Sequence, residues 1–238
     1  GLVRLNANYF VTNTEGLLAQ PQNYPSYFQT YYPKSDMRPY INMNNQRRTG
    51  VDLSVNVGKK HGDFEWNVGL VGMYYTSKNT KWDENVKYDW LKAEGEAIDA
   101  LRGYQCIGFF KDAADVESSA KVNANTKPGD LKYVDQNNDG VINEQDQVVL
   151  GKWGASWVMG LNLTAKYKGF TLFVAGTGSF GGKGLKNNSY MHVYGDRKYS
   201  EVVRGRWTEE TADIATYPRL TTQGGDLNFV ASDFWLYD

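Results

Sequence analysis

Apolar and polar residues alternate with a period of two in five stretches of this chain. Within 48–57, Thr49, Val51, Leu53, Val55 and Val57 share one face while Arg48, Gly50, Asp52, Ser54 and Asn56 share the other. A Gly-Lys-Lys-His-Gly turn at 58–62 leads into 64–77. There Phe64, Trp66, Val68, Leu70 and Tyr74 oppose Glu65, Asn67 and Gly69, and Val71, Met73 and Tyr75 break the polarity near the end. In 2–10, Val3, Leu5, Ala7 and Tyr9 alternate with Arg4, Asn6 and Asn8. In 156–167, Trp157, Met159, Leu161, Leu163, Ala165 and Tyr167 alternate with Val158, Gly160, Asn162, Thr164 and Lys166. After a tight turn at Lys168-Gly169, 170–178 places Phe170, Leu172 and Val174 against Thr171, Phe173 and Ala175. A two-residue period specifies a β-strand, so five amphipathic strands are predicted.

An apolar sheet face needs a cover. In a soluble protein that cover is a second sheet or a helical layer, and no helical stripe is readable between these runs. In a membrane barrel, lipid covers the apolar face and the polar face lines the lumen, so no layer is missing. Two connections are tight, at 58–62 and 168–169, whereas those near 11–46, 78–155 and 181–231 are long. Bacterial barrels have short periplasmic turns and long extracellular loops, which puts all three long segments outside the cell. The fold class expected is therefore all-β, a sector of a large antiparallel transmembrane β-barrel.

Composition narrows the function classes. The 238 residues are 14% aromatic, include 25 glycines and carry a formal charge of -1, with a mean hydropathy of -0.58. That charge balance leaves no footprint for nucleic acid, and no apolar run is long enough for a membrane-spanning helix. Barrel strands escape such scans because only alternate residues face lipid. The single Cys106 excludes an internal disulfide. The chain opens inside a strand pattern and its Leu236-Tyr237-Asp238 end reads as the beginning of another strand, so we expect a piece of a longer protein, in which a missing export signal carries no weight.

The longest connection carries Asp135-Gln-Asn137-Asn-Asp139-Gly140-Val141-Ile142-Asn143-Glu-Gln-Asp146. Asp135, Asn137, Asp139, Asn143 and Asp146 set side-chain oxygens at loop positions one, three, five, nine and twelve. Gly140 takes the sharp-turn position, and Val141 offers its carbonyl at position seven. This is the oxygen-rich set that Ca2+ requires. Asp rather than Glu at position twelve shortens the reach of the closing ligand. The alternative is an Asn-Asp-Gly turn that binds nothing. Val148, Val149 and Leu150 read as extended, so a structural ion pinning a loop is expected rather than a helix-flanked regulatory hand.

Several short motifs then combine in order. Gly103-Tyr-Gln-Cys-Ile-Gly-Phe-Phe110, Pro128-Gly129-Asp130-Leu131-Lys132-Tyr133, the calcium-like loop and Val149-Leu150-Gly151 resemble the C-terminal half of the SusC/RagA family of TonB-dependent outer-membrane transporters. Tyr9 to Leu18, Tyr167-Lys-Gly-Phe170, Trp207-Thr-Glu, Tyr217-Pro-Arg-Leu220 and Ser232-Asp-Phe-Trp-Leu236 are similar to further elements of that family. The resemblance implies TonB-dependent import of glycan or oligopeptide across the bacterial outer membrane. It implies a SusD/RagB-like surface lipoprotein over the mouth, and a TonB complex contacted through an N-terminal part not present here. It also implies a barrel of about 22 strands, of which this chain supplies a sector, with the plug domain and terminal strands lying elsewhere. An isolated sector leaves two strand edges open in lipid, so the functional unit contains more chain than this.

Candidate contact residues for substrate or partner are the first-loop aromatics Tyr24, Tyr27, Phe28, Tyr31, Tyr32 and Tyr40, which suit sugar stacking or a lipoprotein lid, or else pack the loop on itself. Arg4, Arg48, Asp52, Glu65 and Lys166 are expected to face the lumen, either touching solute or forming a hydrated, salt-bridged wall. Trp66, Tyr74, Trp157 and Tyr167 are expected on the lipid face, some as girdle residues. Enzyme signals fail on context. Gly176-Thr-Gly178-Ser-Phe-Gly181 matches a dinucleotide fingerprint, but no helix follows to hold a phosphate. His61 and His192 fall in different connections, and no two carboxylates are shown converging, so no catalytic group is assigned. The competing reading is a soluble or surface-displayed glycan-binding β domain with a calcium-pinned loop.

Overall fold

The computed structural model describes residues 2–25, 28–30, 35–197, 199–222 and 227–238. In chain order the strands are β1 (Leu2–Ala19), β2 (Gln29–Thr30), β3 (Ser35–Asp36), β4 (Ile41–His61), β5 (Phe64–Lys81), β6 (Ala100–Gly103), β7 (Cys106–Phe109), β8 (Leu131–Tyr133), β9 (Val148–Lys152), β10 (Trp157–Tyr167), β11 (Phe170–Phe180), β12 (Gly184–Leu185) and β13 (Leu236–Tyr237), with a short α-helix, α1 (Ala113–Ser118), and several single 3-10 turns among the described residues. The chain divides into two compact units. One comprises 1–87, 92–100 and 152–182, and the other 88–91, 101–151 and 183–238.

The first unit is built on a five-stranded antiparallel sheet in the order β1-β4-β5-β10-β11. Its register fixes the faces, because directly opposed residues share a side. One row runs Tyr9, Val51, Tyr74, Trp157, Phe180, and another runs Leu5, Val55, Leu70, Leu161, Gly176. The five alternating patterns therefore merge into one continuous apolar face. At the β10–β11 hairpin, Lys168 and Gly169 both take positive φ (44° and 85°), as a two-residue turn between right-twisted strands requires.

Two boundaries differ from the sequence expectation. Lys59, Lys60 and His61 stay in the ladder opposite Trp66, Glu65 and Phe64, so the turn is Gly62-Asp63, with Gly62 at φ 57°. Strands β1 and β4 run to Ala19 and start at Ile41, well into the 11–46 segment read as loop. The reason is physical. A membrane strand needs only about 9–11 residues, and beyond the hydrocarbon both faces meet polar surroundings, so Asn13, Thr14, Asn42, Asn44 and Gln46 carry no alternation for the eye to find. A bulge near Gly16 (φ 70°) marks this outer part, its N–H donating to Asn45 Oδ1 at 3.0 Å.

The second unit is made from the long connections and is not structureless. Short ladders β6–β9, β7–β8 and β12–β13 surround a core of Tyr104, Leu131, Tyr133, Ile142, Val193, Val203, Tyr217 and Trp235. The Leu236-Tyr237 strand pairs with β12 and not with the large sheet.

Candidate functional site

The large sheet has two chemically distinct faces. On the apolar face the side chains stay exposed: Val3 keeps 67% of its surface, Leu5 64% and Phe170 81%. Aromatic residues stand at both ends of this face. Tyr9, Tyr74, Trp157 and Phe180 occupy one row, where the Tyr74 and Trp157 rings lie 4.5 Å apart, while Phe64, Tyr167 and Phe170 occupy another with Trp66 beside it. Trp157 and Tyr167 are ten residues apart in one strand, which is about 33 Å of length and about 25 Å once tilted as barrel strands are. This equals the height of a lipid-facing band bounded by aromatic girdles.

The opposite face is polar. Asn8 Nδ2 donates to Asp52 at 2.8 Å, Asn6 Nδ2 to Ser54 Oγ at 3.1 Å, and Lys166 Nζ stands 3.8 Å from Glu65. Arg48 lies over the Tyr75 ring at 5.3 Å, and Lys152 approaches the same ring at 5.6 Å. Arg4, Arg48, Asp52, Glu65 and Lys166 thus share one face but form no single site. Arg48 lies opposite Ser77 and Glu65 opposite Lys60, twelve residues along β4, which is about 40 Å. Tyr75, whose ring takes both cations, is not among the sequence candidates, and its signal in the sequence is the break in polarity at 71–75.

Among the first-loop aromatics, Tyr24 and Phe28 pack edge to face with centroids 4.9 Å apart, whereas Tyr40 is exposed. Tyr27, Tyr31 and Tyr32 lie outside the described residues. The glycine fingerprint at 176–181 lies along β11 and just past its end, and β12 rather than a helix comes next.

In the second unit the motifs scattered along the sequence meet. Asp130, 4% exposed, is gripped by Arg219 (Nε 2.6 Å from Oδ1, Nη2 3.0 Å from Oδ2), by Asn228 Nδ2 at 2.7 Å and by the Lys127 N–H at 2.9 Å. A buried carboxylate is tolerated only with such complete pairing. Gly129, at φ 86°, lies so close to the Trp207 ring that a Cβ would fall 2.4 Å from it. The Arg219 N–H reaches Gly129 O at 2.9 Å, and the Cys106 N–H reaches Asp233 Oδ1 at 2.7 Å. Tyr217 donates its hydroxyl to Met191 O (2.8 Å) while accepting from the Val193 N–H (3.0 Å), and burial raises its pKa. His192 packs on Trp235 and Phe229, and burial, reinforced by Arg197, lowers its pKa. Burial pushes the Cys106 thiol up to about 11, which leaves it un-ionised at neutral pH.

The 135–146 loop holds its oxygens on backbone donors. Asp135 accepts from the Asp139 and Gly140 N–H groups, Asn137 from Asp139, Asp139 from Val141, and Asn143 from Gln145. Fully buried Asp146 accepts from Gln136 and Asn143, while Ile142 anchors the loop in the core. Among the described residues no three His, Cys, Asp or Glu side chains converge on one point. Each carboxylate has about four lone-pair sites, so Asp135, Asp139 and Asp146 keep acceptor capacity beyond these bonds, and the donor chemistry fits a hard dication.

Comparison with known proteins gives a consistent picture. No family model matches the chain. TonB-dependent receptor P26 of Formosa agariphila is 31% identical over 137 residues, covering 56% of this chain and 13% of that protein. TonB-dependent receptor P3 of the same organism is 24% identical over 196 residues, covering 76% of this chain and 19% of the receptor. The fold matches the RagAB peptide importer in its closed-closed state with a TM-score of 0.66 at 16% identity, over 99% of this chain and 25% of that one. A second RagAB peptide transporter structure matches with a TM-score of 0.64 at 16% identity, over 93% and 24%. The chain therefore spans at most about a quarter of the proteins it matches. With one apolar and one polar face, the sheet has the fold of a transporter-barrel sector like that of the RagAB importer, and in sequence the chain is similar to TonB-dependent receptors.

Proposed function

We propose that this chain supplies wall and outer loops to an importer that draws energy through TonB and carries glycan or oligopeptide across the bacterial outer membrane. The observation that carries the proposal is the continuous apolar face from β1 to β11, whose side chains are exposed or half-buried and none enclosed, backed by a polar face. An uncovered apolar surface of this extent in water would drive association, and hydrocarbon is its natural neighbour. The relatives named as TonB-dependent receptors and the RagAB peptide importer support the transport reading. By the same likeness the assembly includes a SusD/RagB-like lipoprotein, with TonB engaged by segments outside this chain. The test is carbene labelling from the lipid phase of the full-length protein. Met159 and Leu161 should label and Asn162 and Thr164 should not; release of a folded monomer into buffer, with those side chains protected, overturns the proposal.

We also infer that 135–146 holds a structural Ca2+ through Asp135, Asn137, Asp139, Val141, Asn143 and Asp146. The exposed Asp135–Gly140 turn, with acceptor capacity left on two carboxylates, favours this reading over a bare turn. When bound, the ion would neutralise those carboxylates and brace the loop. In the full-length protein, calcium should slow proteolysis between 135 and 146 relative to chelator, and Asp139→Ala should abolish that difference. Identical cleavage with and without calcium rejects the site.

A further inference from the structure

The glycines of the large sheet fall into two kinds, divided by face. On the polar face each is required by a neighbour. A Cβ on Gly50 would lie 2.5 Å from the Phe10 ring, one on Gly69 would lie 2.6 Å from both Asn56 and Asn162, and one on Gly160 would lie 2.8 Å from Val71. On the apolar face, Gly72 and Gly176 have nothing within 4 Å of the place a Cβ would take, and Gly178 meets only the Phe180 ring at 3.2 Å. Glycine inside a strand weakens it, and here no packing within the described protein calls for it. The consequence is a groove of about 560 Å³ floored by Gly72, Gly176 and Gly178 and walled by Leu70, Met159, Leu161 and Phe180. It lies just inside the row of Tyr74, Trp157 and Phe180.

Beyond that aromatic row, on the same face, Arg47 and Lys78 stand directly opposite each other. Both are exposed, and among the described residues no acidic side chain pairs with either. Like charges placed directly opposite destabilise a sheet, so the pair calls for an anion between them. Lys78 is four residues beyond Tyr74, about 13 Å along the strand and about 10 Å across a tilted barrel wall, so the two cations stand on the headgroup side of the aromatic row and the groove on its acyl side.

We propose that Arg47, Lys78 and the glycine-floored groove form one binding site for a phosphate-bearing lipid of the outer leaflet. The phosphate bridges the two cations, with the Arg47 guanidinium suited to a bidentate contact, and one acyl chain fills the groove. This rests on the apolar face being in the bilayer. Native mass spectrometry of the full-length transporter, with dioleoyl phosphatidic acid or the phosphate-free dioleoylglycerol offered in mixed micelles, tests it. The wild type should retain phosphatidic acid preferentially. Removing each cation (Arg47→Gln, Lys78→Gln) should weaken retention roughly fivefold, and Gly176→Leu, which fills the groove, should weaken retention of both lipids. Excess inorganic phosphate should fail to displace the bound lipid. Equal retention of the two lipids, unchanged retention in the double glutamine variant, or full displacement by inorganic phosphate overturns the proposal. Lipid-phase labelling of Leu161, run in parallel, separates the failures. Labelling without phosphate preference sinks the lipid site alone, and absent labelling sinks the bilayer reading with it.

Discussion

In the sheet unit, Val3, Leu5, Leu70, Leu161 and Phe170 remain exposed and the long strands are held by their ladders, whereas in the second unit Tyr104, Tyr133, Tyr217 and Trp235 are almost wholly enclosed. The sheet has no core of its own and relies on solvent of two kinds, one for each face. The loop-built unit has little regular structure and relies on a buried charge network and packed rings. Stability in the first is therefore a matter of which face a residue occupies, and in the second of which partner it keeps. The sharpest way to break this contrast is Asp130→Ala. It takes the carboxylate partner from the Arg219 guanidinium and from Asn228 Nδ2, and losing one partner of a buried pair costs about 3–5 kcal/mol. Hydrogen exchange on the full-length protein should show 103–134 and 217–235 losing protection while 48–81 keeps it. Loss of protection across the sheet would mean the two units do not differ as described.

The next largest effect belongs to the faces. Val174 and Ala175 are adjacent on β11, both exposed, and on opposite sides. Val174→Arg puts a charge on the apolar side near mid-depth and should cost about 2–4 kcal/mol, while Ala175→Arg should cost about 1 kcal/mol or less. Denaturant unfolding of the barrel from micelles reads both. Equal costs would remove the distinction on which the bilayer reading stands.

The same distinction explains what the sequence discloses. Wherever one face meets hydrocarbon and the other water, the period of two is forced on the chain, and 48–57, 64–77 and 156–167 are legible at once. At 11–19 and 41–47 the strands continue beyond the hydrocarbon with polar surroundings on both sides and the pattern vanishes, although the ladder does not. The second unit is opaque for another reason. Its core draws on Tyr104, Ile142, Val193 and Trp235, whose separations leave no local period. Only short motifs were visible, among them those around Cys106, Asp130, Trp207, Arg219 and Asp233, and their meaning lies in contacts across as many as 127 residues. Of the candidate contacts, the polar face was legible from parity alone. The cation-bearing ring of Tyr75 was not, because an aromatic at a polar position reads as noise until Arg48 is found over it.

A titration sharpens the contrast further. Burial holds His192 below its usual pKa, so the folded second unit binds fewer protons than the unfolded chain once the pH falls below the ordinary histidine value. Its stability should fall with decreasing pH from there until the folded pKa is passed. His192→Phe keeps a ring between Phe229 and Trp235 and should flatten that part of the profile. The sheet should show no matching change, which tryptophan fluorescence paired with hydrogen exchange can separate. A pH profile for the variant that overlays the wild type would assign the acid sensitivity to another group.

The smallest effect expected is at Asp115. Lys132 Nζ, 2.7 Å away, is the main reason its carboxyl lies below the usual carboxylate range, aided by the Lys111 N–H. Both side chains keep about a fifth of their surface in water (22% and 23%), so screening limits the pair to about 1 kcal/mol or less. Because the folded pKa is lowered, the contribution is complete above the ordinary carboxylate value and disappears as the pH falls through the folded one. Asp115→Asn should therefore weaken protection of the β7–β8 ladder, where Lys132 resides, slightly at neutral pH and not at all in strong acid. A loss that persists unchanged into acid would show that Asp115 acts through its N-terminal position in α1 rather than through Lys132, and the second unit's dependence on paired charges would then rest chiefly on Asp130 and Arg219.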